Sequence, residues 1–412
     1  MICWASQRGA DDDERLRRIS LSVACEGQPN FGRYQLVRRV SLGGTAEIYK
    51  AKAFNDRGFE KVVALKRLLP HVEEDPDFVR MFVNEARLVA QLDHPRIARI
   101  YELGKVHGSH YIAMEYIYGR DLGELQRGAG GNRTPAPPGF VAAVGLQVAE
   151  ALDYAHGFVD VHGTPLHIVH RDVSPQNIMI DEGGAVRLID FGIAKYVGVE
   201  GSTAAGVVKG KHAYMSPEQV RQEPLDGRSD VFSLGVILYE LLSGERLFRC
   251  DNVLDTLVRV EAARVPDLRE AVPEVPEELA AAVMACLARE PGGRPSAAEL
   301  TSALAAVCGG RGGVEPQRAV VELYAARFDD AGDTETEVTL DEYRQALRAA
   351  ELGVDEALAR RDASDITIIP DTADLAAYVE ELRRHLREVR AAAGAEGARS
   401  PHEATPPAHG AR

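Results

Sequence analysis

One lysine, three carboxylates and one amide stand where the surrounding pattern makes them conspicuous. Lys66 interrupts the apolar run VVALKRLL. A lysine buried in such a run needs a counter-ion, unless its stem carries the charge out to water. Glu85, on the helical pattern FVRMFVNEARLVAQL, is a candidate partner. Asp172 is followed five residues later by Asn177 and eighteen residues later by Asp190. Carboxylate and amide oxygens are the ligands that hard divalent cations take. The turn Ser41-Leu42-Gly43-Gly44-Thr45-Ala46-Glu47-Ile48 lies between two strand-like runs. Its glycines make an ordinary hairpin turn, or let backbone N–H groups approach phosphate oxygens without a Cβ in the way. Together these groups suit phosphate handling with a metal ion. Phosphates beside Asp172 and Asp190 need such a cation to offset the negative charge.

The elements that must position these residues change character along the chain. YQLVRRVSLGGTAEIYKAKAF and EKVVALKRLL read as short strands around the Gly-Gly turn, then a helix carries Glu85, and ARIYELGKV and HYIAMEYI read as further strands. This predicts a small sheet with one helix. After Asp121 helices dominate. Residues 140–156, 277–289 and 296–307 read as helices, the last opened by Ser296 with Glu299 three residues on. DVFSLGVILYELLSG (230–244) is apolar nearly all round and predicts a buried helix.

The order and spacing of these motifs resemble the bacterial eukaryotic-like Ser/Thr protein kinases, a branch of the protein kinase superfamily, over about Tyr34 to Leu304. The resemblance implies an α+β, bilobal fold with a small β-rich N-lobe and a larger helical C-lobe. It implies ATP with Mg2+ (or Mn2+) as cofactors and protein Ser/Thr hydroxyls as acceptors. Ser41, Leu42, Gly43, Gly44, Thr45, Ala46 and Ile48 would cover the nucleotide, with Ala64 beneath it. Lys66 would hold phosphates and be oriented by Glu85. In Met114-Glu115-Tyr116-Ile117, Met114 would be the gatekeeper, and the backbone of Glu115 and Ile117 would meet the adenine edge. In His170-Arg171-Asp172-Val173-Ser174-Pro175-Gln176-Asn177, Asp172 would accept the hydroxyl proton. Asn177 and Asp190, the latter in Asp190-Phe191-Gly192, would bind the metal.

The same resemblance assigns structural roles. Glu218 and Arg294 would form a buried ion pair, and Asp230 would bond the catalytic-loop backbone. Val89, Ile100, His170 and Phe191 would stack between the lobes. Ser202 and Thr203 would be candidate phosphosites in the segment before Ser216-Pro217-Glu218, with Arg171 as the cation for the added phosphate.

Some positions depart from the family pattern. Only Gly43 survives of the three glycines in G-x-G-x-x-G, the others being Ser41 and Ala46. Ser174 stands where the family has a lysine two residues after the catalytic aspartate. Lys211 stands where it has a threonine in the substrate-side loop. Lys211 could replace the missing charge, but a lysine ordinarily points to solvent, and that is the favoured expectation. The eroded positions support an alternative, a nucleotide-binding pseudokinase acting as a scaffold. The intact Lys66, Glu85, Asp172, Asn177 and Asp190 oppose it.

The 412 residues carry a net charge of −15, with 45% hydrophobic and 27% charged residues. That charge argues against nucleic acid and anionic membranes as partners. No apolar run reaches transmembrane length, and the N-terminus has no signal-peptide core. Cys3, Cys25, Cys250, Cys286 and Cys308 show no metal or disulfide spacing. A cytoplasmic location is therefore expected.

The domain expectation is a flexible arm over 1–30 and a kinase domain over 31–306. Within the latter fall the N-lobe 31–114, the hinge 115–119 and the C-lobe 120–306. An acidic, lysine-free helical extension (307–391) and a disordered tail (392–412) follow. Residues 316–328, 339–352 and 373–391 read as helical, and 373–391 offers an apolar face for a partner or a second copy. Asp333, Glu335, Thr339 and Glu342 stand at calcium-loop spacing, but Ala331 and Thr336 replace the first ligand and the turn glycine. An acidic helix start explains the same residues.

Overall fold

The computed structural model describes residues 30–54, 60–128, 133–192, 211–309 and 316–328. The expected helices at 339–352 and 373–391, Ser202, Thr203 and both chain ends lie outside the described residues.

The N-terminal part is a six-stranded antiparallel sheet, ordered β1-β2-β3-β4-β6-β5. Its strands are β1 (Asn30–Phe31), β2 (Tyr34–Leu42), β3 (Ala46–Phe54), β4 (Glu60–Leu68), β5 (Ile100–Val106) and β6 (Ser109–Glu115). Side chains alternate between the two faces of a strand, and β4 uses both. Val63 and Leu65 pack with Phe31, Tyr34, Tyr49 and Tyr111 on one face. Ala64 and Leu68 pack with Ala46, Ile112 and Met114 on the other, which puts Lys66 on that second face.

Helix α1 (Pro76–Val89) lies against this second face. Asp75 caps it, accepting from the N–H groups of Asp77 and Phe78, and Pro76 opens it. The buried stripe is Phe82, Glu85, Ala86 and Val89. Helical spacing thus brings Glu85 inward together with its apolar neighbours.

A second, three-stranded sheet, β7-β8-β9, joins Gly119–Asp121, Ile178–Asp181 and Val186–Leu188. The helical part packs behind it. Helices α2 (Pro138–His156), α3 (Arg228–Ser243), α4 (Val253–Ala262), α5 (Glu277–Cys286) and α6 (Ala297–Gly309) contribute to one core with Leu188 and Phe191. Helix α2 is buried on nearly every side. A Cβ at its Gly145 would come 3.1 Å from both Leu238 of α3 and Leu304 of α6, so a glycine sets that close crossing. The capping box of α6 forms as expected: Ser296 N donates to Glu299 Oε2 at 2.7 Å, and Glu299 N donates to Ser296 Oγ at 3.2 Å.

Helix α7 (Pro316–Phe328) belongs to the same core through its buried Val320. It also donates from Gln317 Nε2 to Gly183 O at 2.7 Å. The bilobal expectation holds: an antiparallel sheet with one long helix precedes a helical body.

Candidate active site

The hairpin of β8 and β9 brings the metal-type oxygens together. Ile178 pairs with Leu188 in its register, and Ile189 N donates to Asn177 O at 2.9 Å. Asn177 therefore sits beside the strand end that leads into Asp190. Asn177 Nδ2 donates to Asp172 O and to Asp172 Oδ2, both at 2.8 Å. Both donations use the amide nitrogen, which leaves Oδ1 as the acceptor suited to a hard cation, as the Asp190 carboxylate is.

Asp190 has φ +54°, a backbone conformation costly for a side chain bearing a Cβ. Gly192, two residues on, donates its N–H to His170 O at 2.7 Å. A Cβ at Gly192 would lie 2.8 Å from the Asp172 Cβ, so the two loops touch there. His170 is fully buried, its ring 4.4 Å from Phe191, and it contacts Ile189 O through Nε2 at 3.0 Å. Burial pushes its pKa down, against the pull of Asp230. Phe191, its ring neighbour, shares one core with buried Val89 and half-buried Ile100.

Lys66 Nζ donates to Asp190 Oδ1 at 2.9 Å. The sequence-based expectation gives that ammonium to Glu85. Glu85 instead lines the same cavity and acts on the lysine as a nearby charge. Burial works against the Lys66 charge, yet Asp190 first and Glu85 second hold its pKa above the ordinary lysine value. Burial alone would raise Asp190, but Lys66 and then Lys211 hold its carboxyl below the usual range.

Lys211 corrects the favoured expectation. Its ammonium does not point to solvent but donates to Asp172 Oδ2 at 3.0 Å. The single turn Lys211–Tyr214 that carries it is anchored in the helical body. Ser233 Oγ donates to Tyr214 O at 2.6 Å, and Tyr214 OH donates to the buried Glu240 at 2.9 Å.

The turn at Ser41–Ala46 closes with Gly43 N donating to Ala46 O at 2.9 Å, and a Cβ at Gly43 would crowd that oxygen at 3.3 Å. Leu42 and Ser41 are exposed at its rim, and Thr45 O accepts from Leu69 N at 3.0 Å. Ile48 pairs with Lys66 across β3 and β4, and Ala64 pairs with Met114 across β4 and β6. Buried Met114 lines a cavity with Lys66, Glu85, Ile112 and Phe191. Gly44 lies in the bend between β2 and β3, and Ile117, just after β6, is half-buried.

Asp230, in the first turn of α3, accepts from His170 N at 2.7 Å and Arg171 N at 2.8 Å. Arg294 binds Glu218 in a buried fork at 2.6 and 2.8 Å. Three further partners lie outside the sequence-based expectations. Arg187 Nε reaches Glu115 at 3.1 Å, His156 Nε2 meets Asp230 at 2.8 Å, and Gln219 Nε2 donates to Arg171 O at 2.9 Å. A proline helix start beside Ser216, with Gln219 three residues on, is the one local signal that marks Gln219.

Comparison with known proteins places this geometry. The protein kinase domain family matches residues 34–304. Tyrosine-protein kinase MasK of Myxococcus xanthus is 45% identical over 269 residues, covering 65% of this chain and 42% of MasK. Serine/threonine-protein kinase PrkC of Bacillus subtilis is 34% identical over 273 residues, covering 66% of this chain and 40% of PrkC. The chain thus spans less than half the length of these curated relatives. Among solved structures, the Mycobacterium tuberculosis PknI kinase domain aligns with a TM-score of 0.51 at 28% identity, covering 68% of this chain and 99% of that domain. With lysine, aspartates and asparagine gathered in one cleft between a sheet and a helical body, the chain belongs to the protein kinase domain family, among its bacterial eukaryotic-like members.

Proposed function

We propose that this chain transfers the γ-phosphoryl group of Mg-ATP to Ser or Thr hydroxyls of protein substrates, and that it modifies its own segment at Ser202 or Thr203. The observation that carries the reading is the joint placement of Lys66 on Asp190 at 2.9 Å and Asn177 on Asp172 at 2.8 Å. The first pair fits the nucleotide end of the cleft and the second the acceptor end.

Asn177 Oδ1 and the Asp190 carboxylate would hold Mg2+, which supplies charge neutralisation at the phosphates. Lys66 binds and orients the phosphates, kept protonated by Asp190 and Glu85. Asp172, fixed by Asn177, receives the proton of the attacking hydroxyl. Met114, Glu115 and Ile117 border the adenine, and the turn Ser41–Ala46 covers the phosphates. Catalysis in this reading is positioning and charge stabilisation.

Incubating the protein with Mg2+ and γ-labelled ATP, beside Asp190→Asn and Lys66→Met, tests it by mass mapping of the label. Label on Ser202, Thr203 or an added protein's Ser/Thr, in the unaltered protein alone, is expected. Bound nucleotide with no transfer would leave the scaffold alternative standing. The likeness to MasK, whose name gives tyrosine as its acceptor, favours a second reading. Label confined to tyrosine would decide for it.

A further inference from the structure

We propose that Lys211 is a catalytic residue of the transfer, supplying from the substrate-side segment the positive charge that Ser174 does not. The proposal rests on the kinase reading above. Among the described residues, two carboxylates at the cleft each accept from an ammonium: Lys66 lies on Asp190 at 2.9 Å and Lys211 on Asp172 at 3.0 Å. The first charge stands at the nucleotide end and the second at the acceptor end. A phosphoryl group in transit passes from one to the other.

Ser174 cannot serve that second end. It is neutral and 1% exposed, and its Oγ has no hydrogen-bond partner among the described residues. Lys211 is differently placed. Its side chain is 35% exposed, and its ammonium rests on Asp172 at 3.0 Å. The turn that carries it is anchored through Tyr214 to Ser233 and Glu240. A donor held in advance where charge develops costs no reorganisation at the moment of reaction.

In the step itself, the acceptor hydroxyl oxygen forms a bond to the γ-phosphorus. The bond from that phosphorus to the β–γ bridging oxygen breaks, and its electron pair leaves with ADP. The hydroxyl proton passes to the Asp172 carboxylate. The Lys211 ammonium, resting at the acceptor end, offsets the charge on the transferring phosphoryl oxygens. The competing role is a latch, in which Lys211 only ties its segment to the catalytic loop.

The test compares the full chain with Lys211→Thr, Lys211→Arg and the double variant Ser174→Lys with Lys211→Thr. Steady-state transfer from Mg-ATP to myelin basic protein is measured, with thermal unfolding to verify that each variant is folded. Lys211→Thr is expected to lower kcat by about tenfold or more, with the KM for ATP within about twofold of the unaltered protein. Lys211→Arg should retain part of the rate, and the lysine placed at 174 should recover most of it. Near-normal kcat in Lys211→Thr overturns the proposal. So does a loss that the double variant does not recover, which is the signature of a latch. If the unaltered protein itself transfers nothing to any acceptor, the kinase reading falls and the role of Lys211 falls with it.

Discussion

Arg294 and Glu218 meet fork to fork, 76 residues apart in sequence, with their side chains 0% and 2% exposed. Ser229 Oγ donates to the same carboxylate at 2.5 Å, and the guanidinium also donates to the carbonyls of Ala288 and Arg289. The pair therefore joins the turn at Ser216–Val220, the start of α3 and the loop before α6. Removing one member strands the other's charge in the interior, which costs about 3–5 kcal/mol. Arg294→Met should lose that much in denaturant unfolding, and Arg294→Lys should recover little, since an ammonium cannot make the double contact. Burial opposes ionisation of Glu218, but its bonds to Arg294 and Ser229 bring its pKa below the ordinary value. A carboxyl depressed in the folded state stabilises above its unfolded pKa and loses that contribution as pH falls through the folded one. Stability that rests on this pair should hold from pH 7 to about 5 and decline below about 4. Arg294→Met should lack that acid step in unfolding curves taken across the same range.

Asp230 accepts from two backbone N–H groups of the loop at His170–Arg171. Asp230→Ala leaves the N–H groups of His170 and Arg171 buried without their acceptor, at about 1–3 kcal/mol each. Thermal unfolding should register the loss. In transfer assays kcat should fall about tenfold or more while the KM for ATP changes little, because Asp172 is the group displaced. An unchanged kcat in a folded variant would show that the loop keeps its shape without this carboxylate.

The Arg187–Glu115 contact calls for a smaller effect. Both side chains are about a quarter exposed, at 23% and 24%, and ion pairs this open are worth under about 1 kcal/mol. Arg187→Ala should raise the KM for ATP by no more than about threefold and leave kcat in place. A larger change would mean that Arg187 holds the strand β9, through its second contact with Asp181 at 2.9 Å, rather than the hinge.

Helix α7 makes the fourth test. Val320 is 0% exposed within the helical core, so Val320→Asp buries a charge without a partner and should cost several kcal/mol. Exposed Arg318, paired with Glu322 on the same helix, should tolerate alanine within about 0.5 kcal/mol. Equal behaviour of the two variants in denaturant unfolding would mean that α7 does not contribute to the cooperative unit.

Local patterns are readable where the physics is local. The Ser296–Glu299 box and the inward stripe of α1 follow from spacing of three and four residues, and the burial of α3 from its being apolar nearly all round. The roles of Asp230, Glu218 and Arg294 are legible only through the family resemblance, because nothing near them in sequence marks their partners. The choice of Asp190 over Glu85 as the bonded partner of Lys66 is not legible at all. Both carboxylates border one cavity, and the outcome depends on how α1 and the β8–β9 hairpin approach β4. Lys211 departs from its expectation for a related reason. A lysine's default is water, and only the fold brings Asp172, 39 residues earlier, within reach.

The contact between Gly192 and the Asp172 Cβ has a consequence for inheritance. Every missense change of one nucleotide in a glycine codon introduces a side chain that begins with a Cβ. At this position even the smallest of them, a methyl group, meets the neighbouring loop. Gene libraries screened for transfer should return position 192 without neutral variants, while nearby exposed codons accumulate them freely.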